Sequence, residues 1–194
     1  MDLNQIAQVY GQLDPPVWLV TATHNGRRGG MIATTVTQAS IVESKPRQLI
    51  TVNKRHHTHS LIEACGTFAM HLIDERQLDL VWRFGLQSGR DTDKLSGVPF
   101  QERETGSPLL TQALAWLECR VEARLDSGDR TIYLAEVVAG ELLRGDSPLT
   151  NQRLFELAPA DKQQIMREQY DDDARLDALA IQQWRDQKSA IADP

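Results

Sequence analysis

A strict alternation of apolar and polar residues at positions 117–125 limits the possible folds of this chain more than any other feature. Its apolar members are Leu117, Cys119, Val121, Ala123 and Leu125, and its polar members are Glu118, Arg120, Glu122 and Arg124. Successive side chains of a strand point to opposite faces, so the pattern predicts a strand with one buried and one solvated face. Turn-forming residues at 126–129 precede a second predicted strand at 131–138. Such a hairpin requires an antiparallel sheet.

Further strand and turn signals extend this sheet. Strands are predicted at 17–23, in a hydroxyl-rich segment ending near Ile41, at 48–52 and at 68–73. Between the first two lies Asn25-Gly26, a dipeptide that favours the positive φ angles of a tight hairpin turn. Short helices are predicted from about Thr58 to Gly66 and at 78–85. These elements predict a mainly β fold, a small antiparallel barrel with flanking helices.

The chain changes character after residue 142. Pro148 and Pro159 indicate irregular chain, and residues 160–190 are predicted to be helical. An imperfect apolar stripe follows this helix through Ile165, Met166, Tyr170, Leu176, Leu179, Ala180 and Trp184. Such a stripe must be covered, either by the chain's own barrel or by a partner subunit. The sequence therefore divides into a barrel domain at 1–145 and a C-terminal helical extension at 146–194.

The charge balance disfavours two classes of partner. The 194 residues include 21 Lys and Arg against 27 Asp and Glu, a formal net charge of −6. This argues against a broad nucleic-acid surface and a polybasic membrane contact, and no apolar run approaches the length of a membrane span. Two cysteines are too few for a disulfide framework, and the N-terminus lacks the basic and apolar regions of a secretion signal. The expected location is the cytoplasm.

Adjacent threonines in the segment 29–40 indicate a polar site. Neighbouring strand residues face opposite sides, so one of the hydroxyls of Thr34 and Thr35 is expected to face inward, where it needs a hydrogen-bond partner. A planar heteroaromatic ligand with carbonyl and ring nitrogen atoms would be such a partner. One strand later, a basic turn supplies Lys54, Arg55 and Thr58, which are suited to hold a phosphate.

The basic turn leads into the helix predicted to begin near Thr58, where Ser60 and Glu63 have the spacing of a capping box. The positive end of a helix dipole and its free N–H groups attract anions, which strengthens the phosphate interpretation. Three histidines also lie here, His56, His57 and His59. They cannot all face one ion, and no other obvious ligand is close in sequence, so no metal site is predicted.

The order of several motifs resembles the flavin reductase-like FMN-binding split-barrel proteins. The motifs are Gly29-Gly30-Met31, Ala33-Thr34-Thr35, Gln38-Ala39-Ser40, Asn53-Lys54, His56-His57-Thr58, Trp82-Arg83-Phe84-Gly85, Asp93-Lys94-Leu95, Gly106-Ser107-Pro108, Ala115-Trp116-Leu117-Glu118-Cys119 and Gly128-Asp129-Arg130-Thr131. The resemblance runs from about residue 16 to residue 142. It implies a split β-barrel of Greek-key-like antiparallel topology with a bound flavin, and pairing as a homodimer.

The resemblance also implies roles for individual residues. The flavin ring would contact Thr34, Thr35 and Val36, the ribityl chain Gln38 and Ser40, and the phosphate Asn53, Lys54, Arg55, His57 and Thr58. Phe84 would border the ring, and Lys94 matches a family position near the flavin. Arg130 stands where many flavin reductases have the histidine of Gly-Asp-His, which meets the nicotinamide cofactor. An arginine here is either a contact to a dinucleotide phosphate or an ordinary hairpin residue.

The implied function is reduction of flavin by NAD(P)H, in which the flavin supplies the redox chemistry. FMN is favoured over FAD because the sequence has no dinucleotide-binding fingerprint, although split barrels of this family hold either. Reduced flavin could serve a monooxygenase or a protein electron acceptor. Two other classes stay open: an FMN-bound electron-transfer module that takes electrons from a protein donor, and a non-catalytic split barrel whose C-terminal helix serves a partner.

Overall fold

The computed structural model of the chain describes residues 2–192, with side chains described at 2–190. Its strands are β1 (Trp18–His24), β2 (Arg27–Ala33), β3 (Val36–Gln38), β4 (Arg47–Asn53), β5 (Thr67–Leu72), β6 (Phe100–Gln101), β7 (Leu109–Leu110), β8 (Ala115–Asp126) and β9 (Arg130–Leu142). Its α-helices are α1 (Leu3–Tyr10), α2 (His57–Cys65), α3 (Leu78–Gly85), α4 (Asn151–Leu157) and α5 (Ala160–Ala192). Residues 1 and 194, the ends of the predicted domain division, lie outside the described range.

Seven strands form one sheet, ordered β2-β1-β5-β8-β9-β4-β3, in which every neighbouring pair is antiparallel. The edge strands β2 and β3 are consecutive in the chain, and only Thr34 and Thr35 separate them. The three-residue step from Ala33 to Val36 spans at most about 11 Å, so the two edges must approach each other there. The sheet is therefore rolled into a barrel that is split between its edges, which confirms the predicted fold class.

The predicted hydroxyl-rich strand is interrupted at Thr34 and Thr35. β2 ends at Ala33, where it is paired with β1, and β3 begins at Val36, where it is paired with β4. The chain changes from one sheet edge to the other at the two threonines, so a single strand cannot run through them. An inward-facing hydroxyl was expected on the assumption that one continuous strand runs through both threonines. That assumption is wrong. Thr34 is half-buried and Thr35 is exposed.

The barrel interior contains large apolar side chains from the central strands, and the largest of these are fully buried. They include Val20, Ile50, Val52, Phe68, Met70 and Tyr133. A second apolar cluster lies outside the barrel wall, where Phe84 and Val81 of α3 pack with Leu19 of β1 and Ile73. The barrel is thereby attached to α3, which contributes to the candidate site described below.

Two adjacent glycines allow α2 and α3 to pack closely against β2. A Cβ atom at Gly29 would lie 2.8 Å from Leu61 Cδ1 of α2, and one at Gly30 would lie 2.6 Å from Phe84 Cδ1 of α3. Carbon atoms in contact prefer separations of about 3.5–4.0 Å, so larger residues would force the helices away. The glycine pair therefore fixes the start of α2 and the ring of Phe84 next to each other.

The alternation predicted for β8 is wrong at Glu118. This residue was expected to face solvent but is completely buried. The ladder between β8 and β9 shifts register between Glu118 and Cys119, so two consecutive residues are buried. The Glu118 carboxylate accepts hydrogen bonds from the Thr105 N–H at 2.8 Å and the Thr105 hydroxyl at 2.7 Å. This buried carboxylate fastens the long loop before β7 to the barrel.

Helix α5 lies against the barrel of its own chain at the β8–β9 turn. Gly128 has a φ of 97°, and a Cβ atom there would lie 2.9 Å from Trp184 Cβ and 3.0 Å from the Ala180 carbonyl oxygen. Elsewhere on the helix, Tyr170 and Leu179 are 74% and 60% exposed. The apolar stripe is thus partly covered by the barrel. Within residues 2–192, no helix has both the length and the apolar character required to cross a bilayer.

Candidate functional site

A pocket of about 280 Å³ opens between the start of α2, the end of α3 and helix α5. It is lined by Gly30 and Met31 of β2, residues 55–58, residues 84–89, Lys94, and Gln169 and Asp173 of α5. A wider groove of about 1020 Å³ adjoins it and shares His57 and Gly89 with it. Three arginines line the groove, Arg27, Arg28 and Arg90, together with Asp91 and Asp93. The two cavities therefore form one region with several basic side chains.

The pocket brings together five of the residues predicted to bind flavin. They are Arg55, His57, Thr58, Phe84 and Lys94. The other predicted residues lie elsewhere. Val36 and Gln38 line a separate groove of about 480 Å³ at the β3–β4 edge of the sheet. Thr34 and Thr35 lie at the junction of the two sheet edges, and the Gln38 side chain donates to the Ser40 carbonyl at 2.6 Å.

Helix α2 begins at the pocket without a side-chain cap. Its N-cap residue is His56, which makes no capping hydrogen bond. The capping box predicted from Ser60 and Glu63 is wrong, because both residues lie inside the helix. Glu63 instead accepts hydrogen bonds from the Tyr133 hydroxyl at 2.6 Å and from Arg124 at 2.7 Å. The first turn of α2 therefore presents N–H groups and the positive end of the helix dipole to the pocket, an arrangement that favours binding of an anion.

Lys94 is a nearly buried cation on the pocket wall, with 6% of its surface exposed. Its Nζ donates to the Phe84 carbonyl at 2.8 Å and to the Gly30 carbonyl at 3.2 Å. A lysine ammonium has three donors, so one remains for a ligand. No carboxylate among the described side chains forms an ion pair with it. Burial lowers the pKa of Lys94 to about 8, so the ammonium is still mostly charged at neutral pH.

The three neighbouring histidines have different surroundings. His56 Nδ1 lies 3.3 Å from Met31 Sδ, and His59 Nε2 lies 2.9 Å from the Thr131 hydroxyl. His57 lines both the pocket and the groove. Burial lowers the pKa of each ring, and for His57 the positive charges of Arg90 and Arg27 lower it further. His57 therefore faces the pocket as a neutral imidazole at pH 7.

Two carboxylates of α5, which were not among the residues predicted from the sequence, bind the basic residues next to the pocket. Asp177 accepts from Asn53 Nδ2 at 2.8 Å, Arg55 Nη2 at 2.8 Å and Arg130 Nη2 at 3.0 Å. Asp173 accepts from the same Arg55 Nη2 at 2.9 Å. The available signal was the spacing of four residues between these aspartates, which places them on one helix face.

These ion pairs determine which predicted cations reach the pocket. Arg130, the predicted nicotinamide contact, is bound to Asp177 and, through Nε, to Asp129 at 2.9 Å. Lys54 is bound to Asp126 at 2.6 Å, at the β8–β9 turn, and does not line the pocket. Arg55 reaches the pocket while it is held by both α5 carboxylates. Among these cations, Lys94 has the least opposing charge.

Comparison with known proteins matches residues 10–155 to the model described as the flavin reductase like domain. The ferric-chelate reductase (NAD(P)H) of Archaeoglobus fulgidus is 34% identical over 137 residues, 69% of this chain and 79% of that protein. The reductase component of 4-nitrophenol 4-monooxygenase/4-nitrocatechol 2-monooxygenase from Rhodococcus opacus is 32% identical over 153 residues, 79% of each protein. A solved NADH:FAD oxidoreductase of Streptomyces globisporus has a TM-score of 0.64 and 30% identity, covering 73% of this chain and 83% of that one.

Proposed function

The chain belongs to the flavin reductase-like domain family, as its motifs predicted, and on this premise we propose that it is an NAD(P)H-dependent flavin oxidoreductase. The observation that carries the proposal is the pocket, in which an uncapped helix start lies beside the ammonium of Lys94. The pocket residues fit the phosphate end of a flavin nucleotide, since they combine N–H donors, a hydroxyl and a positive charge. When bound, the flavin supplies the hydride chemistry.

The proposed binding mode extends from the pocket to the junction of the sheet edges. The phosphate would lie at Lys94, Thr58 and the first N–H groups of α2. A cavity of about 280 Å³ suits this end of the ligand, and the ring would extend toward Thr34, Thr35 and Val36. Phe84, which contacts β2 at Gly30, would border the ligand. The adjoining groove with Arg27, Arg28 and Arg90 supports binding of a second nucleotide moiety, from FAD or from NAD(P)H.

The assembly and partners are proposed on separate observations. Helix α1 has no buried residue, and Leu3, Val9 and Tyr10 are each more than 60% exposed. An apolar surface of this kind supports a homodimer in which α1 is covered. The Rhodococcus relative is the reductase component of a monooxygenase, which supports a monooxygenase as the consumer of reduced flavin. Two free cysteines support a reducing compartment such as the cytoplasm.

An absorption spectrum of the purified protein tests the proposal. The protein is mixed with FMN or FAD, passed through gel filtration, and then treated anaerobically with NADH or NADPH. Retained flavin bands that are bleached by a nicotinamide nucleotide are the expected result. A protein that neither binds flavin nor accelerates its reduction by either nucleotide would contradict the proposal.

One observation favours a second candidate, an electron-transfer module that keeps its flavin and takes electrons from a protein donor. Arg130 replaces the histidine of the Gly-Asp-His pattern, and its guanidinium is occupied by Asp129 and Asp177. If nicotinamide binding requires a free side chain at this position, hydride transfer from NAD(P)H would be slow. The same spectral experiment distinguishes the two, since the module would retain flavin that neither nucleotide bleaches.

A further inference from the structure

Helix α5 contributes to the pocket although it lies beyond the family match, which ends at residue 155. Gln169 and Asp173 form part of the pocket wall, and Asp177 lies one helical turn further along. Both aspartates bind the same nitrogen, Arg55 Nη2. An added helix therefore brings two negative charges to a cation of the family domain, at the place where the phosphate of a ligand is proposed to bind.

The two carboxylates differ in how firmly they are held. The side chain of Asp177 is 10% exposed and is also bound by Asn53 and Arg130, so it is an anchor of α5. The side chain of Asp173 is 50% exposed, and its ion pair is with Arg55. A ligand can displace a half-exposed carboxylate with one ion pair far more easily than a buried one with three hydrogen-bonding partners. Asp173 is therefore the group that a phosphate would meet and compete with.

The charges around Arg55 show how competition from Asp173 weakens the attraction of a phosphate. Arg55 and Arg130 are matched by Asp173, Asp177 and Asp129, which leaves no excess positive charge in this cluster. A phosphate approaching Arg55 must displace Asp173 or remain close to it, and like charges a few ångströms apart repel. Attraction of the phosphate is then left to Lys94 and the start of α2, which also line the pocket.

We propose that Asp173 is a specificity-determining residue that lowers the affinity of the pocket for the phosphate of a flavin nucleotide by competing for Arg55. This inference rests on the proposed function, because it takes the ligand to be a flavin. In the wild-type protein the phosphate contributes less to binding than the two pocket cations, Arg55 and Lys94, would otherwise provide. The flavin nucleotide is consequently exchanged readily, as suits a flavin that is reduced and then released to another protein.

The test compares FMN with riboflavin, which lacks the phosphate. Asp173→Asn keeps the shape of the side chain and removes its charge. Asp172→Asn is the matched control, because it removes the same charge from the adjacent position, where Asp172 is 70% exposed and pairs with Arg175. Dissociation constants for both ligands are measured by quenching of flavin fluorescence in the full-length wild-type protein and the two variants. Circular dichroism checks that helix content is unchanged.

Asp173→Asn is expected to bind FMN about 3- to 10-fold more tightly, with riboflavin affinity unchanged and with slower FMN release. Asp172→Asn is expected to match the wild-type protein for both ligands. Unchanged or weaker FMN binding by Asp173→Asn would overturn the inference. An equal gain in affinity for riboflavin would overturn it as well. If the wild-type protein binds and reduces flavin in that case, the proposed function stands. If no variant binds either ligand, the proposed function and this inference both fail.

Discussion

Lys94 carries the charge that is best placed to attract a ligand anion. Replacement by methionine removes one charge-assisted hydrogen bond to the proposed phosphate, an interaction of about 1.5–3 kcal/mol. Lys94→Met is therefore expected to lower the affinity for FMN by about 10- to 100-fold, while the affinity for riboflavin changes much less. Fluorescence titration of both ligands measures the two effects. An equal loss of affinity for both ligands would contradict the assignment of Lys94 to the phosphate.

Lys54→Met is the control for this experiment, since Lys54 pairs with Asp126 and does not line the pocket. It is expected to leave the ratio of FMN to riboflavin affinity unchanged. The lowered pKa of Lys94, about 8, adds a pH dependence. The ammonium is charged below that pH and neutral above it, so FMN affinity should fall as the pH rises through 8, and Lys94→Met should lack this change.

His71 makes stability depend on pH. Its Nδ1 donates to the Leu19 carbonyl at 2.9 Å, and its Nε2 accepts from the Leu110 N–H at 3.1 Å, so the buried ring is neutral. Burial lowers its pKa to about 4 from the usual 6.5. Between pH 6.5 and 4 the unfolded chain takes up a proton that the folded protein refuses. The free energy of unfolding should therefore fall by about 3 kcal/mol over this range through His71 alone.

Urea unfolding of the wild-type protein and of His71→Gln, each at pH 7.5 and pH 4.5, measures this contribution. A glutamine amide keeps one donor and one acceptor but does not titrate. The variant should thus lose less stability than the wild-type protein on acidification. Equal losses would show that His71 is not the titrating group.

The contact of helix α3 with strand β2 depends on the absence of a side chain at Gly30. Gly30→Ala places a methyl group 2.6 Å from Phe84 Cδ1 and 3.0 Å from the Val20 carbonyl oxygen. Overpacking of this kind costs about 1–3 kcal/mol of unfolding free energy, measurable by urea denaturation. Gly85→Ala is the control, because its methyl group would lie 3.4 Å from Ile32 Cγ1. Equal stability of the two variants would contradict the close packing.

Elements whose ends are set by local chemistry were predictable from the sequence. Helix α3 occupies residues 78–85, as the apolar spacing predicted. Helix α2 ends before Gly66, which adopts the left-handed conformation with a φ of 70°. Asn25 and Gly26 both have positive φ, 50° and 75°, as the hairpin signal predicted. In each case the deciding interaction lies within a few residues along the chain.

Contacts between distant segments left no such local pattern. The bond from Asn53 to Asp177 joins residues 124 positions apart, so nothing near Asn53 indicates a carboxylate partner. Glu118 fits its strand pattern as a solvated residue, and its burial follows from a register shift and from loop donors. The pocket could be predicted as a basic turn with a helix start. Its α5 wall could not, because that wall is built by tertiary packing.

The rolled sheet explains how separate polar segments can contact one ligand. The junction at Thr34 and Thr35 joins the two sheet edges, and the Thr35 carbonyl accepts from the Thr51 N–H of β4 at 3.2 Å. β4 then leads directly to residues 53–58 and the start of α2. The proposed ring and phosphate positions are thus connected through one strand. A change at the junction of the two sheet edges would therefore alter both the proposed ring position and the proposed phosphate position.

Helix α1 supports a prediction about assembly. Ile6 and Val9 lie on its apolar side with 36% and 64% exposure, and the helix has no buried residue. If α1 is covered in the proposed homodimer, Ile6→Glu with Val9→Glu should weaken association at least about 10-fold, because charges are then buried in an apolar contact. Gln5→Glu with Gln8→Glu adds equal charge to the same helix outside the Ile6–Val9 pair. Sedimentation velocity over a concentration series measures association. A wild-type monomer, or equal effects of both pairs, would contradict a dimer formed through α1.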